Sequence, residues 1–138
     1  MDIAKQLREG LSSAKTVPPI PVSNYSRVII CGMGGSIMPA EALSMLWLDQ
    51  PTIYINRTAY LPQWASADHA VICISWSGHT EETIACFEEA VAKNIPVWGI
   101  TTGGRLAQLA KNQQKPTVIL PPNNLNPREA LGLMFSAL

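Results

Sequence analysis

Charge is scarce in this sequence. Lys and Arg number 10, Asp and Glu number 10, and together they make up 14% of 138 residues, against about 25% in an average soluble domain. The net charge is zero and no basic block is present. This excludes a general nucleic-acid or membrane-surface binder. The shortage also predicts that another body covers part of the surface. No run approaches the ~18 apolar residues of a membrane helix. Met1-Asp2-Ile3-Ala4-Lys5 lacks the basic-then-apolar order of a signal peptide. Cysteine is sparse too. Cys31, Cys73 and Cys86 form no CxxC pair, and two histidines do not complete a zinc set with them. Cys31 and Cys73 fall inside β-rich runs, which predicts buried, reduced thiols and a cytoplasmic compartment.

Apolar residues make up 47% of the chain, enough for the core of one domain. Five short runs stand out: Arg27 to Cys31, Thr52 to Ile55, Ala70 to Ile74, Pro96 to Ile100, and Thr117 to Leu120. They are rich in Val and Ile and alternate little, the pattern of strands buried on both faces of a parallel sheet. Between them lie segments of helical spacing. Ile3, Leu7, Leu11 and Ala14 share a face of an N-terminal helix; Ala40, Leu43, Leu46 and Trp47 mark a second helix, with Pro39 in its first turn. Ile84, Phe87 and Val91 mark a third, and Leu106, Leu109 and Ala110 a fourth. The link from Ile55 to Ala70 has room for only a short helix. The order predicts an α/β fold: a three-layer αβα sandwich on a five-stranded parallel sheet.

Near the C-terminus, Asn126-Pro127-Arg128-Glu129 reads as a helix start, with Asn126 as N-cap, Pro127 at the first position and Glu129 closing a capping box. The helix that follows, Ala130 to Leu138, is apolar on nearly every side. Such a helix is a buried one, and the reading predicts a partner subunit or a second half of the protein against it. The expected division is residues 1–26 as N-terminal helix and lead-in, 27–126 as the α/β domain, and 127–138 as the helix leading to that second body.

Two loops carry the chemistry. The first strand ends in Gly32-Met33-Gly34-Gly35-Ser36, directly before a helix. Glycines there let the backbone approach a ligand, and the helix N-terminus offers N–H groups and a positive dipole end to an anion. A P-loop is excluded because no lysine is present. A dinucleotide fingerprint would use Gly32 and Gly34, but the third glycine position is Ile37. The second strand ends Ile55-Asn56-Arg57 where an acid would meet a ribose. Arg57 facing a 2′-phosphate leaves an NADP site as a weak alternative. The third strand ends Ser75-Trp76-Ser77-Gly78-His79-Thr80-Glu81-Glu82-Thr83 and again enters a helix. Hydroxyls and backbone amides clustered there make a neutral cup, suited to a phosphomonoester dianion that must bind and leave. With strand order 2-1-3-4-5, strands one and three are neighbours and their helices leave to opposite faces. Both loops then line the crevice at the topological switch point.

These residues resemble the sugar isomerase (SIS) domain family, whose phosphosugar site has an SxSGxT loop of this kind. Four segments occur in the order seen in bifunctional phosphoglucose/phosphomannose isomerases. They are Gly32 to Ser36, Ser75 to Thr80, Ile100-Thr101-Thr102-Gly103-Gly104-Arg105-Leu106-Ala107, and Pro127-Arg128-Glu129-Ala130-Leu131-Gly132. Those enzymes carry two such domains, and this chain looks like the first. The resemblance implies that Gly34, Gly35, Ser36, Ser75, Ser77 and Thr80 hold a sugar phosphate. Arg128 would match the arginine that stabilises an enediolate. The family's catalytic glutamate and ring-opening histidine have no counterpart here. No cofactor is implied, and the implied partners are a sugar phosphate and a second SIS domain or homodimer partner. A non-enzymatic SIS module that senses a phosphosugar is the alternative. Asn123-Asn124-Leu125 departs from the family, which usually shows a glycine there; Asn also tolerates positive φ.

Independently of the resemblance, Arg128 in a first helical turn would oppose the helix dipole by about 0.3–1 kcal/mol. A residue in a poor local place points to a ligand. The remaining candidates read as structural. His79 fills its loop, His69 lies at the far edge of the sheet, Glu81 and Glu82 favour the helix dipole, and Trp76 and Trp98 pack in a core or interface.

Overall fold

A computed structural model describes residues 1–138. The apolar runs form β1 (Arg27–Cys31), β2 (Thr52–Asn56), β3 (His69–Ile74), β4 (Val97–Thr101) and β5 (Thr117–Ile119). All pair in parallel, in the order β2-β1-β3-β4-β5. The helices are α1 (Ile3–Ala14), α2 (Met38–Leu46), α3 (Glu81–Ala92), α4 (Gly104–Asn112) and α5 (Leu131–Ala137). The link after β2 holds a hydrogen-bonded turn at Pro62–Ala65 and no helix. No helix is long and apolar enough to cross a membrane.

Successive strand residues point to opposite faces, and both faces are buried. Val28, Ile30, Ile72, Ile74, Ile100 and Val118 join Ala40 of α2 and Leu133 and Met134 of α5. Ile29, Cys31, Val71, Cys73 and Val97 join Ile84 and Phe87 of α3 and Leu106 of α4. Each such side chain contributes about 1.5–3 kcal/mol when fully buried. Because α2 and α3 cover opposite faces, the chain parts between β1 and β3. The switch-point crevice therefore opens where the two glycine- and serine-rich loops leave the sheet.

Helix α1 forms where its periodicity predicts; it buries Gln6 and Gly10 and leaves Ile3, Leu7 and Leu11 57%, 39% and 50% exposed. The cause is close packing on α5: a Cβ on Gly10 would overlap the Leu133 carbonyl and the Ser136 hydroxyl. The glycine stripe thus outcompetes the leucine stripe for the helix contact. The inner face of α5 is covered by α1, α2 and the sheet; Leu133 and Met134 are fully buried.

The capping box at Asn126 forms. Asn126 Oδ1 accepts from the Glu129 amide at 3.1 Å, and Glu129 Oε2 accepts from the Asn126 amide at 2.9 Å. It closes a turn over 127–130, and regular helix begins only at Leu131. Gln6 of α1 bonds across this turn: its Oε1 accepts the Gly132 amide at 3.0 Å and its Nε2 donates to the Glu129 carbonyl at 2.8 Å. Arg128 accordingly lies in a turn ahead of α5, not in the helix's first turn.

Beside α1 runs an apolar groove of about 550 Å³, lined by Val17, Ile30, Ile72, Trp98, Val118 and Leu138 among others. Together with the exposed α1 stripe it forms a continuous apolar surface, since Leu11 belongs to both.

Candidate functional site

The β1–α2 loop leaves the sheet through Gly34, at φ +55°, and a short 3-10 turn over Gly34–Ile37. Ser36 is 5% exposed, and its Oγ accepts the Trp76 amide at 3.1 Å. That bond fastens the first loop to the second. The third position of a dinucleotide fingerprint, Ile37, is packed into the core. Arg57 is ion-paired with Glu41 of α2. Neither observation favours the NADP alternative.

The β3–α3 loop is shaped from within. Ser75 is fully buried; its Oγ accepts the Gly78 amide at 3.1 Å and pairs with Thr80 Oγ1 at 2.9 Å. This places Ser75 behind the ligand-facing groups. Its hydroxyl sets the turn and orients Thr80. Ser77 is exposed, and its Oγ accepts the His79 amide at 3.1 Å. Thr80 is the N-cap residue of α3, yet its side chain makes no capping hydrogen bond. The first-turn amides of α3 therefore receive no acceptor from their cap, as an anion-binding terminus requires. Gly78, at φ +73°, packs its Cα against Gly103 of the β4–α4 loop.

The β5–α5 segment reaches the same place. A Cβ on Gly35 would stand 2.9 Å from Pro127 Cβ and 3.0 Å from both the amide nitrogen and Cγ of Arg128. Arg128 is exposed, and its amide donates to Asn126 Oδ1 at 3.1 Å. Asn123 and Asn124 do not use positive φ. Asn123 Oδ1 accepts the Leu125 amide at 2.9 Å instead, an Asx turn that needs no glycine. Three loops thus meet at one sheet edge and bring together hydroxyls, amides and the turn that carries Arg128. The set can hold a dianion and place a cation beside it. No group of three or more His, Cys, Asp or Glu residues is placed to hold a metal ion.

Beneath this edge lies a cluster that spacing in the sequence did not reveal. Cys31 and Cys73 are register partners in adjacent strands, and all three cysteines are buried free thiols. Asn56 Nδ2 donates to the Sγ atoms of Cys31 and Cys86 at 3.6 and 3.4 Å and to the Tyr60 carbonyl at 3.1 Å. Hydrogen bonding with Cys73 pushes the Cys31 thiol well above its ordinary pKa; bonding with Cys31 and burial do the same to Cys86. His69 sits at the opposite edge, where its Nδ1 accepts the Ser66 amide at 2.9 Å.

Comparison with known proteins follows the same line. The chain spans 36–41% of the curated relatives described here. It is 33% identical over 140 residues to a bifunctional phosphoglucose/phosphomannose isomerase of Caldicellulosiruptor bescii, covering 99% of this chain and 41% of that one. It is 37% identical over 117 residues to the enzyme of the same name from Aquifex aeolicus, covering 81% and 36%. No family model matches. Among solved structures, the sugar isomerase domain of an RpiR transcription factor from Sphaerobacter thermophilus superposes with a TM-score of 0.62, at 12% identity, over 95% of this chain and 82% of that one. The chain has the sugar isomerase domain fold. Two further structures share this SIS fold. Escherichia coli tagatose-6-phosphate ketose/aldose isomerase gives a TM-score of 0.65 at 18% identity, over 95% and 44% of the chains. The Vibrio vulnificus NanR protein, complexed with ManNAc-6P, gives 0.71 at 17%, over 98% and 57%.

The reading of Trp76 as a packing residue agrees with its place in the core, at 8% exposed, but nothing in the sequence signals its bonds to the neighbouring loops beyond a tryptophan set between two loop serines. Gln6, a buried clamp between α1 and the start of α5, was not singled out.

Proposed function

We propose that this chain is the phosphosugar-binding SIS domain of an aldose–ketose isomerase that interconverts glucose 6-phosphate or mannose 6-phosphate with fructose 6-phosphate. One observation supports this most: the Ser36 loop, the Ser77–Thr80 loop and Arg128 share one sheet edge. Their order matches that of the isomerases to which the chain is similar. In this reading Gly34, Gly35, Ser36, Ser77, Thr80 and the α3 amides hold the phosphate, and Ser75 orients Thr80. Isomerisation moves a proton between C1 and C2 through an enediolate, and Arg128 supplies positive charge beside the developing oxyanion. The base and the ring-opening group lie outside these 138 residues. A second SIS domain covers the apolar α1 stripe and groove; a second copy of this chain is the alternative occupant.

Calorimetric titration tests the site. Fructose 6-phosphate should bind more tightly than fructose, and NADPH should not compete. Equal affinity for fructose would overturn the phosphate assignment. Purified alone, the chain should not turn over in a coupled fructose-6-phosphate assay, and robust turnover would place the base within it. The fold is shared with NanR and with a transcription factor's sugar isomerase domain, which supports a second reading as a phosphosugar sensor. Tight binding of ManNAc-6P with weak binding of fructose 6-phosphate would favour that reading.

A further inference from the structure

We infer that Trp76 is the positioning residue that couples the phosphate loop to Arg128. The inference rests on the phosphosugar reading above and deepens it. Trp76 is 8% exposed, and each of its polar groups is engaged with a different loop. Its amide donates to Ser36 Oγ at 3.1 Å. Its carbonyl accepts from Thr102 Oγ1 at 2.6 Å and from the Thr102 amide at 3.2 Å. Its indole Nε1 donates to the Leu125 carbonyl at 3.1 Å. One residue of the β3–α3 loop therefore holds the β1–α2, β4–α4 and β5–α5 loops.

The indole bond is the informative one. A buried indole N–H needs an acceptor, and here the acceptor is a carbonyl in a segment without regular structure, which the bond ties to the core. From Leu125 the restraint passes directly to Arg128. The Leu125 amide is held by Asn123 Oδ1, and the next residue, Asn126, receives the Arg128 and Glu129 amides at 3.1 Å. On its other side Arg128 abuts Gly35 of the first loop. The guanidinium-bearing turn is thus clamped between the two loops that would grip the phosphate. Charge placed this way is preorganised: the protein orders it before the sugar arrives.

The test uses Trp76→Phe, which keeps an aromatic ring and both main-chain bonds and removes the indole N–H. Hydrogen exchange at the Arg128, Glu129 and Ala130 amides should speed up, while Ile84 in α3 stays protected. Affinity for fructose 6-phosphate should fall by about tenfold, the worth of one charge-assisted hydrogen bond. Affinity for inorganic phosphate should not change. Arg128→Ala should show the same change in affinities with wild-type exchange at those amides, and the double variant should bind no worse than either single one. Unchanged exchange in Trp76→Phe, or additive losses in the double variant, would overturn the coupling alone. A wild-type chain that binds neither ligand would overturn the site reading and the coupling with it. Should Trp76→Phe fail to fold, Asn123→Ala frees the same segment from its other side. It should lose sugar-phosphate affinity and keep phosphate affinity, and wild-type affinity for both would sink the coupling.

Discussion

Gly35 and Arg128 touch across two loops from opposite ends of the sequence, and no Cβ fits between them: the nearest atoms would stand at 2.9–3.0 Å. Beside the Arg128 Cγ, those neighbours are a proline ring carbon and a main-chain nitrogen, which do not yield like the tip of a flexible side chain. Gly35→Ala should therefore push the Arg128 turn outward. We expect a loss of about 1–3 kcal/mol in urea unfolding, with a fall in fructose-6-phosphate affinity. A variant with wild-type stability and affinity would show that the loops are free to separate.

The two loop serines should separate by effect. Ser36→Ala leaves the buried Trp76 amide without its acceptor, a cost of about 1–3 kcal/mol. Ser77 is exposed, so Ser77→Ala should stay within about 0.5 kcal/mol of wild type in stability and yet weaken phosphate binding. Equal destabilisation by both would contradict this division.

Gln6 is a buried clamp between α1 and the start of α5. Gln6→Leu strands the Gly132 amide and the Glu129 carbonyl, each at about 1–3 kcal/mol. Thermal denaturation should show a clear drop in Tm. A neutral result would mean that both groups find other partners.

The cysteine cluster should be chemically silent in the folded protein. Its Cys31 and Cys86 thiols are held protonated, and the thiolate is the reactive form. Ellman's reagent near neutral pH should label almost none of the three until denaturant is added. Rapid labelling of the native chain would show that the cluster opens locally.

Glu89 ties α3 to the segment after β2. Its carboxylate accepts the Leu61 amide at 2.7 Å and pairs with Lys93 at 2.5 Å. Partial burial raises its pKa, but the Lys93 and Leu61 bonds outweigh this and leave it below the ordinary 4.5. A depressed carboxylate stabilises fully above its unfolded pKa, and that contribution fades as pH falls through the folded value. Stability should thus drop on acidification below about pH 4.5, and Glu89→Gln should flatten that part of the curve. An unaltered acid limb would remove Glu89 from the account.

Much was legible before any coordinates. The strand runs needed only their Val and Ile density, because a sheet buried on both faces leaves no room for polar alternation. The turns at Gly34 and at Ser75 to Thr80 were legible because a tight strand-to-helix turn uses local sequence, and Gly34 and Gly78 take the positive φ that such turns ask of glycine. Which face of α1 packs was not legible, because periodicity reports which stripe is apolar, whereas Gly10 shows which stripe a neighbouring helix can approach.

Local chemistry alone thus determined the strands and the two loop turns, since each depends on residues adjacent in the chain. Tertiary structure alone decided the rest. It placed Gln6 against Gly132, brought the thiols of Cys31 and Cys86 to Asn56 with Cys73 beside Cys31, and ran the bonds from Trp76 to Ser36, Thr102 and Leu125. The reason is physical: a hydrogen bond or close packing between distant segments depends on how helices and strands approach one another, and residue spacing does not encode that approach.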